Sequence, residues 1–122
     1  MDNDKIEILN SLNARYEMLI EQFKIVEQQV LELALFGYEL ETIQNNKNQE
    51  MMVSLGKSVF APVSFKEDQK LLVDVGAGHF IHKNIDETKS VIKNQKERLE
   101  SFKIQISSEI ENISRELQNL IT

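Results

Sequence analysis

Apolar residues recur at alternating steps of three and four through the first third of the chain. Their mean spacing of about 3.5 residues is typical of the narrow contact seam of a coiled coil. Asp4 and Glu7 precede them with the spacing of a capping box, so we predict a first helix over about residues 4–49. The seam residues are Leu9, Leu12, Tyr16, Leu19, Phe23, Val26, Val30, Leu33 and Leu40.

A second helical pattern fills the last third of the chain. Asn84 and Glu87 have capping-box spacing, which predicts a helix over about residues 85–121. The step from Ile106 to Ile110 is four residues where the heptad calls for three, so we expect the seam to drift there. Two helices of similar length predict an antiparallel pair. The positions assigned to the second seam are Ile92, Gln95, Leu99, Phe102, Ile106, Ile110, Ile113, Leu117 and Leu120.

Between the helices, apolar residues occur in short bursts rich in β-branched side chains. Three of the four glycines and the only proline lie in this block. Short bursts separated by Gly-containing turns are typical of β-hairpins. We predict two hairpins over about residues 51–83 and an α+β fold, in which the hairpins join a long antiparallel two-helix coiled coil. The whole chain, residues 1–122, is expected to form one domain.

Two isolated hairpins are only marginally stable in water, and a two-helix pair has little apolar surface to cover them. Apolar residues occupy both faces of the predicted strands, for example Val59 on one face and Phe60 on the other. We therefore expect the hairpins to associate with other subunits.

Composition narrows the function classes. The formal net charge is −6, which disfavours binding to nucleic acids and to anionic membranes, since both require clustered Lys and Arg. The absence of cysteine excludes disulfides and thiolate metal ligands. The acidic start and the absence of a long apolar run predict a cytoplasmic protein without a membrane span.

The segment Val73–Gly78 is similar to the glycine loops of nucleotide-binding proteins. Ile81 stands where the third glycine of that motif is expected, and another β-type burst follows instead of a helix. We therefore interpret the glycines as a hairpin turn. His79 and His82 are three residues apart and would face opposite sides of a strand, so no shared metal site is expected. No catalytic residue, cofactor or metal is predicted.

The central block resembles the double-hairpin region of prefoldin α-class subunits. The resemblance is carried by Leu55–Val63 and by Leu72–Ile81, where the most specific part is the Val-Asp-Val-Gly-Ala-Gly turn before an aromatic-aliphatic strand. It implies a hexamer of two α-class and four β-class subunits in which the hairpins form intersubunit β-barrels. The residues expected to mediate oligomerisation are Val53, Leu55, Val59, Phe60, Val73, Val75 and Phe80.

The resemblance also implies an ATP-independent chaperone that captures unfolded proteins at the tips of its coiled coils and passes them to a group II chaperonin. The residues expected to contact clients are Ile6, Ile8, Leu9, Leu12, Leu117, Leu120 and Ile121. These residues have a second interpretation, as the frayed end of a coiled coil. A structural or filament-forming relative of prefoldin without client transfer is the alternative function, and an enzyme is a third and weaker one.

Overall fold

The computed structural model describes residues 2–122, and the two predicted helices and two predicted hairpins follow in the expected order. The elements are α1 (Asn3–Asn45), β1 (Glu50–Gly56), β2 (Val59–Ser64), β3 (Leu71–Asp74), β4 (Phe80–Lys83) and α2 (Ile85–Ile121). β1 pairs with β2 and β3 with β4, each antiparallel, in two separate two-stranded sheets. The predicted fold class is confirmed at this level.

The start of α2 has the predicted capping box. The Glu87 amide donates to Asn84 Oδ1 at 2.8 Å, and the Asn84 amide donates to Glu87 Oε1 at 3.2 Å. The start of α1 differs from the prediction, because Asp2 and not Asp4 is the cap. Asp2 Oδ1 accepts from the Lys5 amide at 2.8 Å, so the helix begins at Asn3. Several neighbouring acidic and amide side chains can cap a helix equally well, so the sequence alone did not identify the capping residue.

α1 ends at Asn45, before the predicted end near residue 49. Asn48 has a φ of 66°, which a continuing helix does not allow. Its amide donates instead to the carbonyl of Phe65 at 2.6 Å, beyond the end of β2. Lys47 Nζ donates to the carbonyl of Glu67 at 2.9 Å, in the connector between β2 and β3 (residues 65–70). The polar residues after Asn45 therefore hold the first hairpin to its connector.

Both hairpin turns combine glycine with other residues at positive φ. The first has Gly56 at φ 92°, followed by Lys57 and Ser58 at 51° and 63°, values that ordinary side chains disfavour. The second has Ala77 at φ 51° between Gly76 and Gly78, and the His79 amide donates to the Gly76 carbonyl at 2.9 Å. The glycine segment is thus a hairpin turn, as predicted.

The chain divides into two compact units that share both helices. Unit 1 combines residues 2–32 with Lys96–Thr122, and unit 2 is Leu33–Gln95. The expectation of a single domain stays a prediction.

The core of unit 1 is the seam between the helices. Its buried residues are Leu19 and Val26 from α1 and Ile106 and Ile113 from α2. The salt bridges Arg15–Glu109 and Glu27–Lys103 show that α2 positions decrease as α1 positions increase, so the pair is antiparallel. These residues follow the predicted seam.

Two predicted seam positions in α2 are wrong. Gln95 and Phe102 are exposed, whereas the next residues, Lys96 and Lys103, are half-buried. The burial pattern then alternates steps of three and four without interruption from Lys96 to Leu120, and the predicted drift at Ile110 does not occur. Lys103 stands in the seam because its aliphatic chain can be buried while its ammonium reaches acidic groups.

Lys103 makes two contacts across the seam of unit 1. Its Nζ lies 5.3 Å from the centre of the Phe23 ring, a cation–π distance, and 3.4 Å from Glu27 Oε2. A polar residue in a coiled-coil seam lowers stability but favours one register over its neighbours. Lys103 therefore favours the observed alignment of the two helices in unit 1.

Unit 2 joins the end of α1 to the start of α2. Leu40 and Ile85 are almost fully buried. Lys89 lies seven residues before Lys96. Its Nζ donates hydrogen bonds to Glu41 Oε2 at 2.5 Å and to Gln44 Oε1 at 2.9 Å. The Gln44 amide in turn donates to Asp86 Oδ1 at 2.6 Å. This polar network holds the two helix ends together beside the hairpins.

The corrected seam predicts unequal effects for two alanine substitutions in α2. Ile106 is 3% exposed, so Ile106→Ala should reduce the free energy of unfolding by about 2–5 kcal/mol. Phe102 is 46% exposed, and Phe102→Ala should cost no more than about 1 kcal/mol. Urea unfolding followed by circular dichroism at one protein concentration measures both. Equal losses would mean that the seam runs through Phe102.

Candidate assembly and client-binding surfaces

The first hairpin exposes apolar side chains near its turn. Leu55, Val59 and Phe60 are each more than half exposed. Phe60 lies opposite Ser54 in the register, so no large side chain of its own hairpin faces it. These predicted oligomerisation residues form an apolar surface that the chain itself leaves uncovered.

The second hairpin repeats this arrangement. Val75 and Phe80 are about half exposed, and Leu72, which was not predicted, is exposed to a similar degree. Phe80 lies opposite Asp74 and Leu72 opposite His82. Both hairpins therefore present apolar side chains whose neighbours across the strands are polar or small.

Val53 and Val73 differ from the other predicted oligomerisation residues. Both are half-buried on strands whose burial alternates from residue to residue. Val53 faces Ala61 and Val73 faces Ile81 across their hairpins. They are less exposed than the other predicted residues, although Ile81, the neighbour of Val73, is 43% exposed.

The predicted client-binding residues lie in unit 1, where the start of α1 and the end of α2 meet; we call these residues the tip. They divide into two groups. Leu12 and Leu117 pack against the core of unit 1, and Leu9 and Leu120 are also half-buried. Ile6, Ile8 and Ile121 are exposed, with Ile121 at 67%. The first group completes the seam, and the second leaves apolar surface for a ligand.

Other exposed apolar residues were missed by sequence reasoning. They are Met18, Ile25, Leu31, Leu35, Phe36, Tyr38, Met52, Leu72, Ile81 and Ile104. In the helices their signal was the presence of apolar residues outside the heptad seam. That signal does not distinguish an exposed residue from one covered by a partner.

No group of three or more His, Cys, Asp or Glu side chains among residues 2–122 could hold a metal ion. The Gly76 amide donates to Asp74 Oδ1 at 2.8 Å, so this amide is already used within the turn. Over the same residues, neither helix is long and apolar enough to cross a membrane.

Comparison with known proteins gives a consistent result. The family model described as "Prefoldin subunit" matches residues 9–122. The prefoldin subunit alpha of Archaeoglobus fulgidus is 25% identical over 115 residues, covering 88% of this chain and 84% of that protein. The corresponding subunit of Methanosarcina barkeri is 31% identical over 83 residues, covering 67% of this chain and 58% of that protein.

A solved structure supports the fold independently. The cryo-EM structure of filamentous PFD from Methanocaldococcus jannaschii matches with a TM-score of 0.79 at 16% identity, covering 98% of both chains.

Human prefoldin subunit 5 is 27% identical over 95 residues, covering 75% of this chain and 60% of that protein.

Prefoldin is a family of chaperones rather than enzymes, and its subunits form hetero-oligomeric complexes with other prefoldin subunits. The fold, the two hairpins and the family match over residues 9–122 agree with one another. The chain belongs to the prefoldin family, and the predicted resemblance to its α-class subunits is confirmed.

Proposed function

We propose that this chaperone subunit captures unfolded proteins by reversible apolar contact at its tip and passes them to a group II chaperonin without hydrolysing nucleotide. The observation that carries the proposal is the position of Ile6, Ile8 and Ile121, exposed where the two helix ends meet. Unfolded proteins differ from folded ones in exposing apolar groups, so exposed isoleucines offer them a contact. The cytoplasmic location expected from the sequence is part of this proposal.

The working form is a hexamer of two copies of this chain with four β-class subunits, held by intersubunit β-barrels built from the hairpins. Exposed Leu55, Phe60 and Phe80 support this form, because burying them requires another subunit. The net charge of −6 keeps such an assembly soluble.

A filament-forming or purely structural role is the second candidate. The similar structure from Methanocaldococcus jannaschii is described as filamentous. The same exposed hairpin residues would serve an open-ended assembly. Native mass spectrometry of the chain alone and with a β-class subunit separates the two, since a filament gives an unlimited series of masses and a hexamer gives one.

Assembly should fail when charge is placed on both hairpins. Phe60→Lys with Phe80→Lys adds two ammonium groups to surfaces proposed to be buried, while both residues are exposed in the single chain. We expect the complex with the β-class subunit to be lost in native mass spectra. The helical circular dichroism should be kept, because neither residue belongs to α1 or α2. An intact complex would contradict assembly through these faces.

Capture should depend on the exposed tip residues alone. Ile8→Ser with Ile121→Ser removes apolar groups that are 51% and 67% exposed, so the seam is preserved. The variant should suppress the aggregation of a chemically denatured client, followed by light scattering, several-fold less well than the parent chain. A matched control is Ile25→Ser with Ile104→Ser, 51% and 70% exposed elsewhere in unit 1.

The outcome of that comparison is decisive for the site. Equal suppression by the tip variant and the parent would place capture elsewhere. An equal loss in the control variant would mean that exposed apolar residues anywhere in unit 1 contribute.

Client holding should be independent of nucleotides and divalent cations. The glycine turn lacks a following helix N-terminus, and the described residues contain no metal-binding cluster. Adding ATP with Mg²⁺, or adding EDTA, should leave the light-scattering curve unchanged. ATP hydrolysis by the pure protein that is lost in Gly76→Ala would overturn this part of the proposal.

A further inference from the structure

Both histidines of the chain lie in the second hairpin, and one of them belongs to its exposed apolar face. His82 lies opposite Leu72 in the pairing of β3 with β4, and Phe80 lies opposite Asp74. Alternate residues of a strand point to the same side, so these four side chains share one face of the hairpin. We call it the histidine face. All four of its residues are exposed to solvent in the single chain.

Within residues 2–122, no ion pair involves His82. β4 pairs with β3 in a sheet of two strands, and the charged residue that β3 adds to the histidine face is Asp74. Its Oδ1 accepts from the Gly76 amide at 2.8 Å, so this oxygen is used within the turn. The other charged neighbours are Lys70, which precedes β3, and Lys83, which follows His82 on the opposite face of β4. Water therefore stabilises a charge on the His82 ring in the single chain.

The chemistry of imidazole makes burial of this face depend on pH. Histidine is the side chain whose ordinary titration changes its charge between pH 5 and 8. The neutral ring carries one hydrogen-bond donor and one acceptor, and it can be buried beside leucine and phenylalanine. A protonated ring that leaves water without an acidic partner is strongly disfavoured. The histidine face can thus be buried at low cost only while the ring is neutral.

We propose that His82 is a pH-sensitive switch for the assembly of this chain with β-class subunits. At neutral pH the uncharged ring is buried together with Leu72 and Phe80. In mildly acidic solution the ring binds a proton, and the histidine face stays in water. The inference rests on the proposed function, because it requires that a complex bury the second hairpin, and it adds a condition under which that complex dissociates.

The direction of the effect follows from competition between the proton and the partner subunit. The free chain binds a proton on His82 that the complex excludes, so proton binding opposes association. The association constant is therefore largest above the range in which imidazole is protonated, and it falls as the pH falls through that range.

His79 provides an internal control for the switch. Carboxylate, ammonium and guanidinium side chains ordinarily keep their charges between about pH 5.5 and 7.5, and the chain has no cysteine. The two histidines are therefore the side chains expected to respond in this interval. His79 is three residues from His82, so it faces the other side of the hairpin. It closes the turn through its backbone, since its amide donates to the Gly76 carbonyl and its carbonyl accepts from the Val75 amide, both at 2.9 Å.

An uncharged and a permanently charged substitution of His82 test the inference. The parent chain is mixed with the β-class subunit of the same organism, and the dissociation constant is measured by sedimentation velocity over a dilution series. We expect this constant to rise about ten-fold between about pH 7.5 and about pH 5.5. His82→Gln should remove the pH dependence, and His82→Lys should assemble weakly at both pH values. The control His79→Gln should behave like the parent.

Three results would overturn the inference. The first is a parent dissociation constant that does not change with pH. The second is tighter assembly of the parent in acid, which would mean that a carboxylate of the partner subunit meets His82. The third is an equal loss of assembly in acid by the parent and by His82→Gln, which would assign the effect to other groups. Helical circular dichroism at both pH values shows whether unfolding is the cause of such a shared loss.

The same series separates this inference from the proposed function. If the parent forms no complex at about pH 7.5, the proposed assembly fails, and the switch fails with it. If the complex forms at about pH 7.5 and is equally stable at about pH 5.5, the proposed assembly stands and the switch alone is overturned.

Discussion

Two helices can bury apolar side chains only in the one seam between them. This small core limits how much apolar surface the rest of the chain can cover. In unit 1 the buried residues of the seam are only Leu19, Val26, Ile106 and Ile113. Neither hairpin has a third strand to enlarge its sheet. A chain of this kind supports its helices from within but has little core to offer its strands. The exposed apolar residues of the hairpins therefore favour association with other subunits, in agreement with the hetero-oligomeric complexes that prefoldin subunits form.

Charged residues of the seam also help to set the alignment of the two helices. Lys89, Lys96 and Lys103 are spaced by seven residues, and Lys89 and Lys103 each reach a glutamate of the other helix. Ion pairs of this exposure contribute little stability. A seam made only of aliphatic residues permits neighbouring registers of similar energy. A lysine that reaches a particular glutamate does so in one register only, and the other registers lose this contact. The lysines thus favour one alignment where the apolar pattern alone is permissive.

Much of this architecture was predictable because its causes are local. Capping chemistry at Asn84, glycine turns and seam periodicity each act over a few residues. The lysines of the seam were not predicted, because a heptad of apolar residues favours Phe102 over its neighbour Lys103, whose aliphatic chain occupies the seam position. The cap at Asp2 was missed because neighbouring residues offered equivalent side chains. A groove of about 390 Å³ between Tyr38 of α1 and Met52 of β1 was not predictable, because it depends on how the first hairpin packs beside α1 in three dimensions.

The proposed capture and assembly surfaces lie in different units of the chain, yet the magnitude of apolar binding connects them. Burying one isoleucine contributes at most about 1.5–3 kcal/mol, and partial burial contributes less. A single tip with three exposed isoleucines, after the cost of ordering a client, gives binding in about the millimolar range. Several tips held on one assembly raise the effective concentration of the second and third contacts, which multiplies affinity without any new contact. Under the proposed function, the hairpin surfaces would therefore determine how tightly a client is held without contacting it.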